Sequence, residues 1–455
     1  MRPPGTDRGR LLLVLALAAA VTAFTATVPL LRDWFDLRVY HGAVDHWIHR
    51  GGQLYDYRVP GTVYGFTYPP FAALAMLPMA LLGLGTAIGV ALLLNAAALV
   101  VILRALRAPA GRRFGWYGRA LTLCALALFE PLRDTVSFGQ VNLLLLALVL
   151  ADARLLAGRP ARAKWAGVGI GVAAAVKLTP ALFIGLLLLA RRWRAAATAT
   201  AVAAGATALA AWAAPGASRF FWTDAMWDTT RVGRLAYVSN QSLQGVLARL
   251  GEPGRAAWAV AVLLVLGVWA WRTRRAVADR DPAAAFALTG LTACLVSPVT
   301  WVHHLVWLLP SFAVLVRAGH PRVAGALYAV LCTSVVWLWV DDPSGVDGFL
   351  GSNAYAWITL GLLLGLPVGQ PPSARPALRR STTATTPAPN PAAAVMVPAS
   401  VQPGPSPAGT AAAAGAAGTA SGPRRAGRRS ASSDPTGATR PADSNPQSSS
   451  ERASS

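Results

Sequence analysis

Apolar runs close to the length of a bilayer crossing recur along most of this chain, and they constrain its fold more than any motif does. The first is LLLVLALAAAVTAFTATVPLL at 11–31. Roughly 18–20 apolar residues in a row suffice to span the hydrocarbon core as a helix. Of the 455 residues, 55% are hydrophobic and 13% charged, a balance that a soluble domain of this size has no polar surface to cover. The expectation is an all-α polytopic membrane protein with about 10–13 membrane segments.

The formal net charge of +22 does not call for nucleic acid. The arginines fall in short segments between apolar runs: RAPAGRRFGWYGR (107–119), GRPARAK (158–164), RRWR (191–194), WRTRRAVADR (271–280) and RAGHPR (317–322). That pattern assigns these segments to the cytoplasm. Segments 31–68, about 130–138, 216–254, 297–304 and 341–353 then face the other side, and they hold most of the acids and several aromatics. MRPPGTDRGR before the first run reads as the cytoplasmic start of an uncleaved helix, because the run exceeds a signal peptide's apolar region of about 7–15 residues. Cys124, Cys294 and Cys332 lie within apolar stretches, with no disulfide or metal-binding spacing. No metal or cofactor is called for.

Two apolar stretches do not fit one crossing each. Residues 69–106, with Pro69, Pro70 and Pro78, predict a short helix followed by a full one. Residues 165–190 carry cytoplasmic signals at both ends, so KLTP at 177–180 is expected to cap a pair of helices that dip in and return. Such backbone is tolerated at membrane depth only inside protein or beside a water-filled cavity. From residue 371 the chain turns to Pro, Ala, Ser, Thr and Gly without apolar periodicity. The expected organisation is a membrane domain over 1–370 and a disordered cytoplasmic tail over 371–455, whose RRAGRR (424–429) is either solvated or in contact with anionic lipid.

Against this apolar background a few polar residues stand out. Asp33, Asp36 and Asp45 crowd with aromatics in DWFDLRVYHGAVDHW (33–47), read as an active-site loop at the exit of the first helix. Asp36 there is a half-desolvated base, the partner of Arg32 or Arg38, or part of a solvated loop. The chain has only two lysines, Lys164 and Lys177, and Lys177 lies in GVGIGVAAAVKLTPALFIG. An ionisable group in such a setting marks function or else snorkels to the interface, and its ammonium suits a phosphate. His303 and His304 in SPVTWVHHLVWLLP point in different directions on any helix, so one can meet a phosphate or sugar while the other packs. FGQVN (138–142) and SNQS (239–242) supply amides that read sugar hydroxyls or cap helices. One carboxylate base, cations for a phosphate and amides for hydroxyls suit glycosyl transfer from a lipid phosphate, and a single carboxylate implies inversion.

DLRVYHGA, YDY, FTYPPFAAL, FGQVNLLLLALVL, KLTPALF, SNQSLQGVL and SPVTWVHHLVWLLP, in this order over about 11–368, resemble glycosyltransferase family 87. These are polyprenyl-phosphate-mannose-dependent α-1,2-mannosyltransferases of actinobacteria with the GT-C membrane fold. The resemblance implies a polyprenyl-phosphate-linked sugar donor and a glycolipid or glycan acceptor. It also implies an extracytoplasmic site in the plasma membrane, with Asp36 as general base. Lys177, His303 and His304 match positions expected at the donor phosphate. Tyr68, Gln140, Asn142, Asn240 and Gln241 are carried over as substrate-pocket residues. Alternatives are an arabinosyl donor on the same fold or, in a different class, a transporter or flippase for lipid-linked sugars.

Overall fold

The computed structural model describes residues 6–27, 33–106, 115–158, 160–251 and 254–369. The expected tail, Arg32 and residues 107–114 of the arginine-rich segment 107–119 lie outside them. Within the described residues the chain is all-α, with β pairing confined to an isolated bridge between Arg58 and Gly65.

Helices Asp7–Thr25, Leu84–Leu106, Trp193–Ala213 and Arg255–Ala278 are long and apolar enough to cross a membrane. A fifth candidate is the pair Glu130–Phe138 and Asn142–Leu156, which meet at 115°. Six shorter apolar segments of 10–17 residues follow the same pattern, among them Pro70–Leu81, Thr179–Leu189 and Pro282–Val296. Proline explains much of the shortening. Pro70, Pro131, Pro180, Pro282, Pro310 and Pro321 each sit in the first turn of a helix. A proline there is favourable, but it cannot donate back to the preceding turn, so each apolar run restarts at it. The short helix plus full helix expected over 69–106 are Pro70–Met76, extended by a 3₁₀ turn Leu77–Leu81, and Leu84–Leu106.

Lipid-facing and protein-facing apolar helices separate by burial. Leu93 and Leu264, on two of the long helices, are 73% and 66% exposed. Pro282–Val296, apolar on all sides, is instead buried along nearly its whole length, as an all-round hydrophobic helix in a bundle must be. It packs against Arg255–Ala278, Leu309–Arg317 and Ala354–Gly365. Its entry is fixed by Asp281, whose side chain accepts from the Ala284 N–H at 3.1 Å and pairs with Arg317 at 2.7 Å. Trp269 Nε1 donates to Thr289 Oγ1 at 3.0 Å across the interface.

The stretch read from sequence as a loop is a helix, Phe35–His49. Leu37, Val39, Tyr40, Ala43 and Val44 are buried on it, so helical spacing of apolar residues outweighs the polar ones between them. Asp33 and Trp34 precede it with positive φ of 46° and 55°, and the Trp34 N–H donates to the Ser137 carbonyl at 2.9 Å. That bond ties the start of this helix to the end of Glu130–Phe138.

Candidate active site

The turn after Phe138 carries much of the site. Gly139 takes φ +71°, its N–H donating to the Val136 carbonyl while the Gln140 N–H reaches the Thr135 carbonyl at 2.8 Å. This is a Schellman cap, and glycine is the residue that adopts its left-handed position without strain. A Cβ on Gly139 would lie 2.6 Å from Leu37 Cβ, so the cap also allows the helix bearing Asp36 to approach. Gln140, the residue after the cap, is thereby aimed at Asp36. Its Nε2 donates to Asp36 Oδ2 at 2.6 Å.

From Gln140 a chain of hydrogen bonds leads to Lys177. Tyr68 Oη donates to Gln140 Oε1 at 2.7 Å and accepts from Tyr40 Oη at 3.0 Å. Lys177 Nζ lies 3.2 Å from Tyr68 Oη, 3.1 Å from Asn142 Oδ1 and 2.6 Å from His304 Nε2. Lys177 leaves the helix Val168–Val176 in an extended conformation, because Pro180 in the next turn has no N–H to continue it. His304 is the third residue of the 3₁₀ segment Val302–Leu308, and its Nδ1 accepts from the Trp301 N–H at 2.9 Å. A small cavity of about 10 Å³ adjoins Lys177, lined in part by Asn142, Cys294, Thr300 and His304. A larger opening of about 380 Å³, between Leu188, Arg191, Trp193 and Arg274, contains none of these groups.

The three crowded acids now separate. Asp33 pairs with Arg38 at 2.5 Å, both side chains exposed. Asp45 pairs with His49 and Arg50, each at 3.0 Å, and these partners hold its carboxyl below the usual range. Asp36 alone turns inward. Burial of its carboxyl pushes the pKa up to about 6, opposed chiefly by the Gln140 hydrogen bond. A carboxylate raised in this way is a better proton acceptor.

Asp36, Tyr68, Gln140, Asn142, Lys177 and His304 thus form one connected group. His303 borders it differently. Its ring packs on Phe138 at 5.2 Å, and its carbonyl accepts from Thr135 Oγ1 at 2.9 Å and Asn142 Nδ2 at 3.3 Å. Asn240 and Gln241 are fully buried and spent on backbone. Asn240 Nδ2 donates to the Leu235 carbonyl and its Oδ1 accepts from the Thr300 N–H. Gln241 Nε2 donates to the Val238 and Ser352 carbonyls, and its Oε1 accepts from the Ala356 N–H. The structure places these two amides outside the connected group. Tyr40 was not picked out from sequence, although it stands four residues after Asp36 and so on the same helical face. Among the described residues no three His, Cys, Asp or Glu side chains are grouped to hold a metal ion.

The profile of glycosyltransferase family 87 matches residues 66–298. A polyprenol-phosphate-mannose-dependent alpha-(1-2)-phosphatidylinositol mannoside mannosyltransferase of Mycobacterium tuberculosis is 33% identical over 330 residues, 68% of this chain and 74% of its own. The protein of that name in Mycolicibacterium smegmatis is 36% identical over 282 residues, 56% of this chain and 63% of its own. A polyprenol-phosphate-mannose-dependent alpha-(1-2)-phosphatidylinositol pentamannoside mannosyltransferase of M. smegmatis is 32% identical over 332 residues, 70% of this chain and 77% of its own. No solved structure matches.

Proposed function

This chain belongs to glycosyltransferase family 87, and from that premise we propose that it transfers a mannosyl group from a polyprenyl-phosphate donor to a hydroxyl of a mannosylated glycolipid. We place the reaction at the extracytoplasmic face of the plasma membrane and expect an α-1,2 bond formed with inversion. The observation that carries the reading is the continuous link from one inward carboxylate, Asp36, through Gln140 and Tyr68 to the amine of Lys177.

In this reading Gln140 orients Asp36 toward the acceptor. Asp36 takes the hydroxyl proton as the new C–O bond forms at the anomeric carbon. The bond from that carbon to the phosphate oxygen breaks, and charge accumulates on the departing polyprenyl phosphate. Lys177 and His304 donate to that phosphate, with Asn142 and Tyr68 holding the amine in place. A single carboxylate acting as base, rather than a pair acting as acid and nucleophile, makes one displacement and inverts the sugar. The printed names of the relatives support mannose as the sugar and phosphatidylinositol mannosides as the acceptor class. The arginine-rich segments support the sidedness, since they put the helix Phe35–His49 and the turn at 139 on the side away from them.

The test is reconstitution of the purified protein with polyprenyl-phosphate-mannose and a dimannosylated phosphatidylinositol, with the product linkage assigned by NMR. An α-1,2-mannosyl product supports the proposal. Transfer only from an arabinosyl donor replaces the sugar. Movement of lipid-linked sugar across the vesicle without transfer replaces the enzyme by a transporter.

A further inference from the structure

The hydrogen bonds around Lys177 restrict its charge. The Trp301 backbone N–H can only donate, and it meets His304 Nδ1 at 2.9 Å. His304 Nδ1 is therefore the unprotonated nitrogen, and the neutral ring carries its proton on Nε2. That N–H lies 2.6 Å from Lys177 Nζ. An ammonium has three donors and no acceptor, so it would set two donors against each other. A neutral amine fits without conflict: its lone pair accepts from His304 Nε2, and its two N–H bonds reach Tyr68 Oη and Asn142 Oδ1. Tyr68 can accept because its own proton goes to Gln140 Oε1.

We infer that Lys177 is an uncharged amine before the donor binds and takes up one proton from solvent as the donor phosphate arrives. The inference rests on the proposed donor. The titratable groups around Lys177 are Asp36 from the helix Phe35–His49, Tyr68, Cys294 from Pro282–Val296 and His304, with Tyr40 behind Tyr68 and His303 behind His304. Among these only Asp36 offers an anion, and it is already bound by Gln140. A phosphodiester entering beside Lys177 supplies the missing countercharge. The amine becomes an ammonium, and its third N–H and the freed His304 Nε2–H both turn to phosphate oxygens. One N–H···N bond is exchanged for two charge-assisted ones. The Tyr68 ring, 4.9 Å from Nζ, already presents its face to the new cation. During transfer the ammonium stays beside the phosphate monoester that leaves. After release, Lys177 returns its proton to solvent, and Asp36 returns the one taken from the acceptor.

Calorimetric titration of a short-chain prenyl phosphomannose diester, at pH 7.5 in two buffers of different ionisation enthalpy, counts the protons. A diester does not titrate near neutrality, so any uptake belongs to the protein. The expected result is about one proton taken up per donor bound. Asp36→Asn should keep that uptake, which separates Lys177 from Asp36 as the source. Lys177→Arg, which carries a permanent charge, should bind without uptake. Binding heats that do not depend on buffer in the wild type overturn the inference alone, as does uptake that persists in Lys177→Arg or disappears in Asp36→Asn. No binding heat at all removes the donor assignment and the inference together.

Discussion

Replacing Asp36 by asparagine keeps the shape of the side chain and its acceptor for Gln140 Nε2, and removes only its capacity to take a proton. With a carboxyl pKa of about 6, the wild-type group at pH 7.5 is ionised in a ratio of about thirty to one. Nearly every molecule is thus competent, and the loss in the variant measures the base itself. A positioned base contributes about 10²–10⁴ in rate, or about 3–5 kcal/mol at the transition state. The assay is mannosyl transfer to a dimannosyl lipid by equal amounts of folded protein, followed from pH 5 to 9. Wild-type kcat/KM should fall tenfold per unit below about pH 6, and the variant should lack that limb. Its Tm at neutral pH should not drop. The folded-state pKa of Asp36 is raised, so the ionised carboxylate costs stability that is recovered as pH falls from about 6 toward its unfolded value, and a neutral amide avoids that cost. A variant retaining more than a tenth of the wild-type rate, or keeping an unshifted acid limb, would refute the assignment.

Gln140→Glu puts a second carboxyl against Asp36, so the acid limb should move up by about one unit or more in the same pH profile. Tyr68→Phe keeps the ring but removes the hydroxyl shared by Gln140, Tyr40 and Lys177; transfer should slow by about tenfold to a hundredfold, with thermal melting little changed. Gly139→Ala forces a left-handed alanine whose Cβ meets Leu37, so melting temperature and transfer should fall together, by about 1–3 kcal/mol in unfolding free energy. Asn240→Ala strands buried backbone groups at Leu235, Pro298 and Thr300, so the protein should lose about 2 kcal/mol or more in a denaturation assay while transfer per folded molecule persists.

The membrane class was legible in the apolar runs, and the proline-marked restarts over 69–106 followed from covalent chemistry alone. Asp36, Gln140 and Lys177 were also legible as residues, because ionisable and amide groups are costly in such surroundings and few are present. Their arrangement was not. The link between them joins positions more than a hundred residues apart, and it depends on the glycine cap at 139 and the close approach of Leu37. The helix Phe35–His49 was read as a loop because acids and aromatics drew the eye from the buried face carrying Leu37, Tyr40 and Val44. For Asn240 and Gln241 a side chain's donors and acceptors look alike whether they serve a sugar or a backbone, and only their positions in the fold tell the two apart.

The cavity beside Lys177 has room for about one water, whereas a ligand pocket needs about 300–1,000 Å³. On the proposed reaction, the segments bearing Lys177 and His304 would therefore have to part from Asn142 to admit a hexosyl phosphate beside the amine, and again to let the spent phosphate go. On that reading turnover is a breathing cycle, paced by how readily tightly joined side chains let go of one another as well as by the bond that is made.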